Sequence, residues 1–513
     1  MRPYIYLILF ALVLLMPFAL RVALLRGQAG GGAAAADEYI VVVTPHNPDI
    51  RREFERAFHE WCLRRHNASV GIDYRTPGGS NDVKRLLENT YAGYRDASGH
   101  LAPDVPADID VVWGGGDYFF DVELKPLGIL QPIRLDEPIL RAAFPKGQER
   151  LAGVKLCDLT EQSGRLTPLW VGVCLSAFGI VYNSDLYAEL GMSPPRSWAD
   201  LTDPRLSGLI ELADPWHSAS AATAYMMVLQ RNMADAESAF IEALDKSNAP
   251  AARIADYDKA IAAGWKKGMG QILLIVANSR HFTDSSSQVP HDVGNGQAAA
   301  GVAIDFFGRV YQESVGGRRC RVLLPHAATA ITPDPVGILY GVKGRKLRLA
   351  QYFVEFLISR EGQRLWQLQP GVPGGPVDRA MRRPPIRRDV YADTRGWSDP
   401  EVNPFAAAGN FNQRAEWIGL MTDIRLVWAA AWIDNREALR DAYEKILKIR
   451  DANVRRRRIA ELADLPISMA DVEKLMQERK ALEKTGTADE WKAQQRIEWG
   501  RKFRAHYAKV SDN

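Results

Sequence analysis

The sequence predicts an α/β protein folded as two lobes, with helices on both faces of its sheets. Three observations predict it. Apolar runs of strand length alternate with amphipathic helical segments from Tyr39 to Ile358, and such alternation gives layered α/β architecture. Glycines and small polar residues follow several strands just before helix starts, where open α/β sheets bind ligands. The two clearest cases, Gly78-Gly79-Ser80 and His217-Ser218-Ala219-Ser220, fall in different halves of the chain, as a two-lobed clamp requires.

Length and composition set the frame. The 513 residues suffice for two or three domains. Hydrophobic residues at 47% and charged residues at 25% are globular proportions, so a sizeable core is expected. A net charge of +3 is nearly balanced at this length and argues against a nucleic-acid partner, which calls for a clustered basic face. Tyr4–Leu25 is almost wholly apolar, interrupted by Pro17 and Arg21. Residues 1–26 are therefore a transmembrane anchor or a cleaved signal peptide, with an A-x-A-like site in Ala33–Ala36. Either reading exports the body of the chain. No Cys follows the apolar run, so a lipoprotein is not expected, and the Gly/Ala stretch over 27–37 reads as a tether.

Tyr39–Thr44 reads as the first buried strand. Asn47-Pro48-Asp49 starts a helix, with an N-cap, a first-turn Pro and an acid near the positive end. Ile50, Phe54, Ala57, Phe58, Trp61 and Cys62 recur at helical spacing on its core face. Val70–Arg75 closes a βαβ unit with a right-handed crossover. A helix then carries Val83, Leu86, Leu87 and Tyr91. Further strands are expected at Asp108–Trp113, Leu175–Tyr182, Leu209–Ala213, Gln271–Ala277, Ala300–Asp305 and Val336–Tyr340. Helices are expected at Ser220–Gln230 and Lys346–Ile358. Residues 371–410 are rich in Pro and Arg and read as an extended strap. Residues 411–513 read as a charged helical extension packed partly on the body, with Trp417, Leu420, Ile424, Val427 and Trp428 as its apolar stripe. The run Arg455–Arg458 reads as a solvated face.

Cysteine usage gives no C-x-x-C pair, which disfavours a thiolate zinc site. Val154–Leu159 and Leu169–Ile180 read as a hairpin, leaving Cys157 and Cys174 as either a disulfide or two buried thiols.

Enzyme signatures are absent at motif level. His59-Glu60 is followed by His66, the wrong spacing for a zinc protease, and Gly268-Met269-Gly270 lacks the Lys of a P-loop. No G-x-S-x-G elbow occurs. The expectation is a binding protein with no cofactor and no metal, and no catalytic residues. Candidate ligand contacts are helix starts after strands. Gly78, Gly79 and Ser80 allow close backbone approach, and free N–H groups at a positive dipole end favour an anion. Ser80 also reads as a simple cap. His217, Ser218 and Ser220 follow the same logic. His46 faces the same crevice or caps a loop. Trp113 either stacks on a flat ligand or packs in the core. Asp305 accepts hydrogen bonds from a ligand or makes a structural ion pair.

Several stretches together resemble type 2 periplasmic binding proteins, in the branch that includes ferric-ion-binding and sugar-phosphate or phosphonate-binding proteins. They are Thr76–Asp82, Phe178–Ser184, Ser197–Leu206, Ala213–Ser220, Asn295–Asp305, Pro333–Gly341 and Phe356–Trp366, spread over roughly residues 38–390. The resemblance implies a hinged two-lobed fold. Residues 38–173 and 306–370 would form lobe one and 174–305 lobe two. It also implies a small-molecule solute and delivery to the membrane permease of an ABC transporter, from a periplasmic position tethered to the membrane. Ferric members place adjacent tyrosines where this chain has Phe306 and Phe307, so phosphate-like anions, sugar phosphates or phosphonates fit the site chemistry better. A metal or polyamine binder and a membrane-anchored sensor are the alternatives.

Overall fold

The computed structural model describes residues 36–513, except 97, 159, 163, 248–253, 318, 408–410, 412, 484–485 and 513. The N-terminal anchor or signal over residues 1–26, and nearly all of the Gly/Ala tether, lie outside the described residues. Among the described residues no helix is long and apolar enough to cross a membrane.

One ten-stranded mixed sheet runs through both lobes. Its strands are β1 (Glu38–Val43), β2 (Val70–Arg75), β3 (Val111–Trp113), β4 (Leu130–Gln131), β5 (Val171–Asn183), β6 (Ile210–Ala213), β7 (Ser279–Thr283), β8 (Ala300–Ile304), β9 (Cys320–Leu323) and β10 (Ile331–Leu339). The order is β7-β6-β8-β5-β10-β3-β1-β2, with β9 on β5 and β4 on β10. The parallel pairs β1–β2 and β1–β3 build lobe one, and β6–β7 and β6–β8 build lobe two.

The hinge is β5. Its first half, Val171–Ala177, pairs antiparallel with β10, and its second half pairs with β8 and β9. Nearly every residue of β5 is buried, as a strand covered on both faces should be.

Helix α1 (Pro48–His66) starts as expected. The Asn47 side chain accepts from the Ile50 amide, and Ile50, Phe54, Phe58, Trp61 and Cys62 are buried. Helices α2 (Ser80–Ala92), α7 (Gly344–Ile358) and α8 (Arg360–Leu365) also cover lobe one. Lobe two is covered by α3 (Ala219–Ser247), α4 (Ile254–Ala277) and the short α5 (Gln288–Gly294).

Two expectations are corrected here, and one pair of alternatives is decided. Gln271–Ala277 is the last part of α4, not a strand. A short apolar run buried on all sides has no period that separates helix from strand. Residues 308–323 lie with lobe two, whereas Phe306 and Phe307 just before them pack into the lobe-one cluster. Helix α6 (Asp305–Ser314) packs on β8 and β9, and β9 pairs with the distal half of β5, so the return to lobe one begins at β10. Cys157 and Cys174 are both free and buried; Cys157 lies opposite Val171, and Cys174 opposite Pro385.

The C-terminal helices α9 (Met421–Trp428), α10 (Arg436–Leu447), α11 (Ala452–Ala463), α12 (Met469–Glu483) and α13 (Ala488–Asp512) are not an appendage. Trp428, Trp432, Tyr443, Phe503 and Tyr507 join Ile210, Met227 and Trp265 in one apolar cluster with lobe two. A buried bidentate pair, Arg479 to Asp423 at 2.7 and 3.0 Å, fixes α12 on α9. In the Arg455–Arg458 run Arg456 and Arg457 face solvent, while the half-buried Arg455 and Arg458 donate to the Ile449 carbonyl and to Glu461, both at 2.7 Å. Trp432 is fully buried, so Trp432→Ala should cost about 3–5 kcal/mol in denaturant unfolding. A chain ending at residue 410 should bare the lobe-two cluster and aggregate; a soluble, cooperatively folding truncation would show the extension to be separable.

Candidate functional site

The two lobes face each other across a cleft with a cavity of about 230 Å³. Its floor is the hinge: Ser176 and Phe178 from β5, and Thr332, Pro333 and Asp334 from β10. Its walls are helix starts. His46 and Asn47 lead into α1, Gly79 and Ser80 into α2, Gly115–Asp117 into the helical turn Phe119–Leu124, and Ser218–Ser220 into α3. Ser285 and Ser286 add a hydroxyl-rich edge from lobe two.

A charged cluster organises the floor. Asp334 is buried and accepts from Arg383 Nη1 at 2.5 Å and from His46 Nε2 at 2.8 Å. Its other oxygen accepts from the Gly115 and Gly116 amides at 3.0 and 3.4 Å. Burial alone would raise this carboxyl. The charges of Arg383 and His46 and their hydrogen bonds outweigh it and hold Asp334 well below the usual carboxylate range. His46 Nδ1 lies 2.8 Å from Thr44 Oγ1. Burial pushes the imidazole pKa down, against the pull of Asp334. Gly114, at φ +95°, permits this packing, since a Cβ there would lie 2.8 Å from the His46 ring.

Arg383 comes from the strap. It donates to Ser176 Oγ at 2.7 Å and stacks over Phe306 at 4.6 Å. The preceding Arg382 has φ +56°, a left-handed conformation uncommon outside glycine. That turn sends consecutive arginines apart: Arg382 donates to Asp399 at 2.8 Å and Glu313 at 2.9 Å, and Arg383 to the cleft floor. The Pro384 carbonyl accepts from the Leu175 amide at 2.7 Å, which lays the strap along the hinge strand.

Of the sequence-derived candidates, His46, Gly79, Ser80, His217, Ser218 and Ser220 line the cleft together. Three do not. Trp113 is fully buried, with its ring 4.3 Å from His46 and 5.4 Å from Phe54, so it supports the floor from below. Gly78 faces away. Its φ is +144°, and a Cβ at this position would lie 2.4 Å from Asp82 Oδ2, so it serves a tight turn before α2. Asp305 is buried beneath the cleft, accepting from the Ala177 amide at 3.2 Å with Arg309 at 4.0 Å; burial raises its pKa. It pins α6 to the hinge.

Sequence reading missed Asp334, Arg383 and the contribution of the extension. Met421 and Arg425 of α9 line the cleft. Arg425 donates to the Pro215 and Trp216 carbonyls at 2.8 and 2.6 Å and lies 3.9 Å from Glu123 of lobe one. Tyr118 of lobe one hydrogen-bonds Thr422. Asn81 Nδ2 reaches across to the Trp216 carbonyl at 3.1 Å. The lobes and the extension therefore meet at one end of the cleft. The signal for Asp334 was present as a carboxylate among apolar strand residues, the pattern that drew attention to Asp305.

The profile of bacterial extracellular solute-binding proteins matches residues 123–388, more than half of the chain. An uncharacterized protein of Haemophilus influenzae is 25% identical over 258 residues, which cover 50% of this chain and 60% of that protein. The chain thus spans about three fifths of the length of that curated relative. Among solved structures, the periplasmic binding protein AfuA from Actinobacillus pleuropneumoniae, with fructose-6-phosphate bound, is 19% identical at a TM-score of 0.48. The likeness covers 69% of this chain and 86% of that one. Iron-bound HitA from Pseudomonas aeruginosa is 15% identical at a TM-score of 0.46, covering 75% and 99%.

Removing Arg383 leaves a buried carboxylate unpaired, so Arg383→Ala should destabilise by about 3–5 kcal/mol. The linkage has a sign. A carboxyl held below its unfolded pKa of about 3.9 contributes stability that is present above that value and lost as pH falls through the range below it. Unfolding of Asp334→Asn should therefore depend less on pH below about 4 than that of the parent chain, as followed by denaturant titration at each pH.

Proposed function

This chain belongs to the bacterial extracellular solute-binding proteins, and from that membership we propose that its cleft captures a small anionic solute. The solute class is phosphate-like: inorganic phosphate, a sugar phosphate or a phosphonate. The partner in this reading is the membrane permease of an ABC transporter, and the cleft binds without turnover. The body works in the periplasm, tethered or released according to the fate of the N-terminal segment.

One observation carries the reading. The starts of α1, α2, α3 and the Phe119–Leu124 turn all border the same cavity. First-turn amides have no acceptor within their own helix, and the helix dipole adds positive potential there; of these starts, the Ile50 and Ala221 amides are capped by Asn47 and Ser218, and Gly115 and Gly116 donate to Asp334. Ser80, Ser218 and Ser220 place hydroxyls beside those amides. Of the four acidic residues in the lining, Asp284 stands exposed and the other three are offset. Asp334 is paired with Arg383, and Glu123 faces Arg425. Burial holds Asp117 up to about 7, against the lowering by its own amide and that of Tyr118. Phe306 and Phe307 line the cleft and offer a hard cation no oxygen, so a ferric site has little support. The cavity is small beside the ~300–1,000 Å³ of drug-sized sites and suits a compact solute.

A solute that binds only the folded state raises the melting temperature once its concentration exceeds Kd. Phosphate, a hexose phosphate or a phosphonate should give such a shift, while spermidine and ferric salts should not. Ser80→Leu with Ser218→Leu should abolish the shift and leave the ligand-free melting temperature within a few degrees. A shift with spermidine alone would move the protein to the polyamine reading. Silence toward every solute would favour a sensor or interaction role for the clamp.

Asp117 adds a pH signature. Burial pushes its carboxyl up to about 7, so affinity for an anion whose own charge is constant over this range, such as sulfate, should fall as pH rises through that value. Asp117→Asn should flatten the profile relative to the parent, measured by calorimetric titration of the same anion between pH 5.5 and about 8.5.

A further inference from the structure

Lobe two carries a second cluster of ligating side chains, apart from the cleft. Glu211 on β6, His281 on the edge strand β7 and Asp292 on α5 each present a ligating atom, all within 4.8 Å of one another. None of the three lines the cleft. Parallel pairing sets Glu211 directly beside His281, so both side chains stand on one face of the sheet, and α5 brings Asp292 over them.

The telling atom is Glu211 Oε1. The residue is 0% exposed, and this oxygen has no hydrogen-bond partner. It faces His281 Nε2 at 3.3 Å. An unmatched carboxylate oxygen inside a protein is costly and calls for a counter-ion or a donor. Two neighbouring oxygens do have donors: Glu211 Oε2 accepts from Arg280 at 3.3 Å, and Asp292 Oδ1 from Gln288 at 2.9 Å. Arg436, which donates to the Arg280 carbonyl, adds a second positive charge nearby. His281 has a side chain 42% exposed, which gives the cluster a path to solvent.

We propose that Glu211, His281 and Asp292 form a site for a divalent first-row cation of the zinc type. One imidazole and two carboxylates are a suitable donor set, and solvent through the His281 side completes the coordination. Zinc bonds of about 2.0–2.2 Å draw ligands closer than they stand now, an adjustment within reach of side-chain rotation. The bound cation would staple the edge strand β7 to β6 and α5. Arg280 keeps its hold on Oε2 while the cation takes Oε1.

The test uses the full chain, stripped with a chelator and titrated with zinc chloride by calorimetry, with melting temperatures in parallel. One saturable zinc site and a raised melting temperature are expected. His281→Ala should weaken that binding at least about tenfold, and, because the side chain is half exposed, should melt like the parent without metal. Asp292→Asn should weaken it likewise. The Ser80→Leu, Ser218→Leu chain should bind zinc like the parent. Absence of saturable zinc binding would overturn the proposal. So would binding that survives both His281→Ala and Asp292→Asn, or binding lost in the cleft variant, which would place the cation between the lobes.

Discussion

The buried carboxylate of Asp334 is the point on which the cleft is built. Four separate pieces of chain converge on it: His46 at the end of β1, the Gly115–Gly116 amides after β3, the hinge strand β10 that carries it, and Arg383 from the strap. A charge in that position is tolerable only when every oxygen is matched, so the partners specify one another. The requirement fixes the loop after β1, the glycine turn and the path of the strap. Those segments in turn set where the helix starts point.

The same cluster separates stability from recognition. Arg383 and His46 are paired with Asp334, and Trp113 and Trp366 pack beneath them. That leaves the hydroxyls and first-turn amides of α2 and α3 to meet a solute. They lie on opposite lobes, joined through β5 and β10, the strap and the contacts at one end of the cleft. Arg425 and Thr422 make the C-terminal extension part of that end. Because α9 shares an apolar cluster with lobe two, any movement of the lobes carries the extension with it. Tyr118 and Glu123 of lobe one meet α9 at that end.

Much of this was legible in the sequence, for identifiable reasons. The βαβ start was clear because Asn47-Pro48-Asp49 caps a helix with a six-residue apolar face. The helix starts at Ser80 and Ser218 stood out because polar residues directly followed apolar strands, and both do border the cleft. Trp113 and Asp305 were ambiguous for a physical reason: strand-end position does not say which side of the sheet a side chain takes. Gln271–Ala277 misled because burial on all faces erases periodicity. Arg383 was hidden in the strap, where its neighbours Arg382 and Arg387 make local ion pairs and nothing in the spacing marks one arginine as the inward one. The left-handed turn at Arg382 that decides it has no glycine to announce it. The extension's role was hidden because a stripe of apolar residues shows that a helix packs, not against what.

The most direct measurement is a crystal structure of the full chain grown with a phosphate monoester. The account predicts the phosphoryl group between the lobes, within hydrogen-bond distance of the Ser80 and Ser218–Ser220 amides and hydroxyls, with Asp334 still paired to Arg383. A monoester bound elsewhere with the cleft occupied only by solvent, or a cationic ligand held there by Asp117 and Asp284, would contradict it.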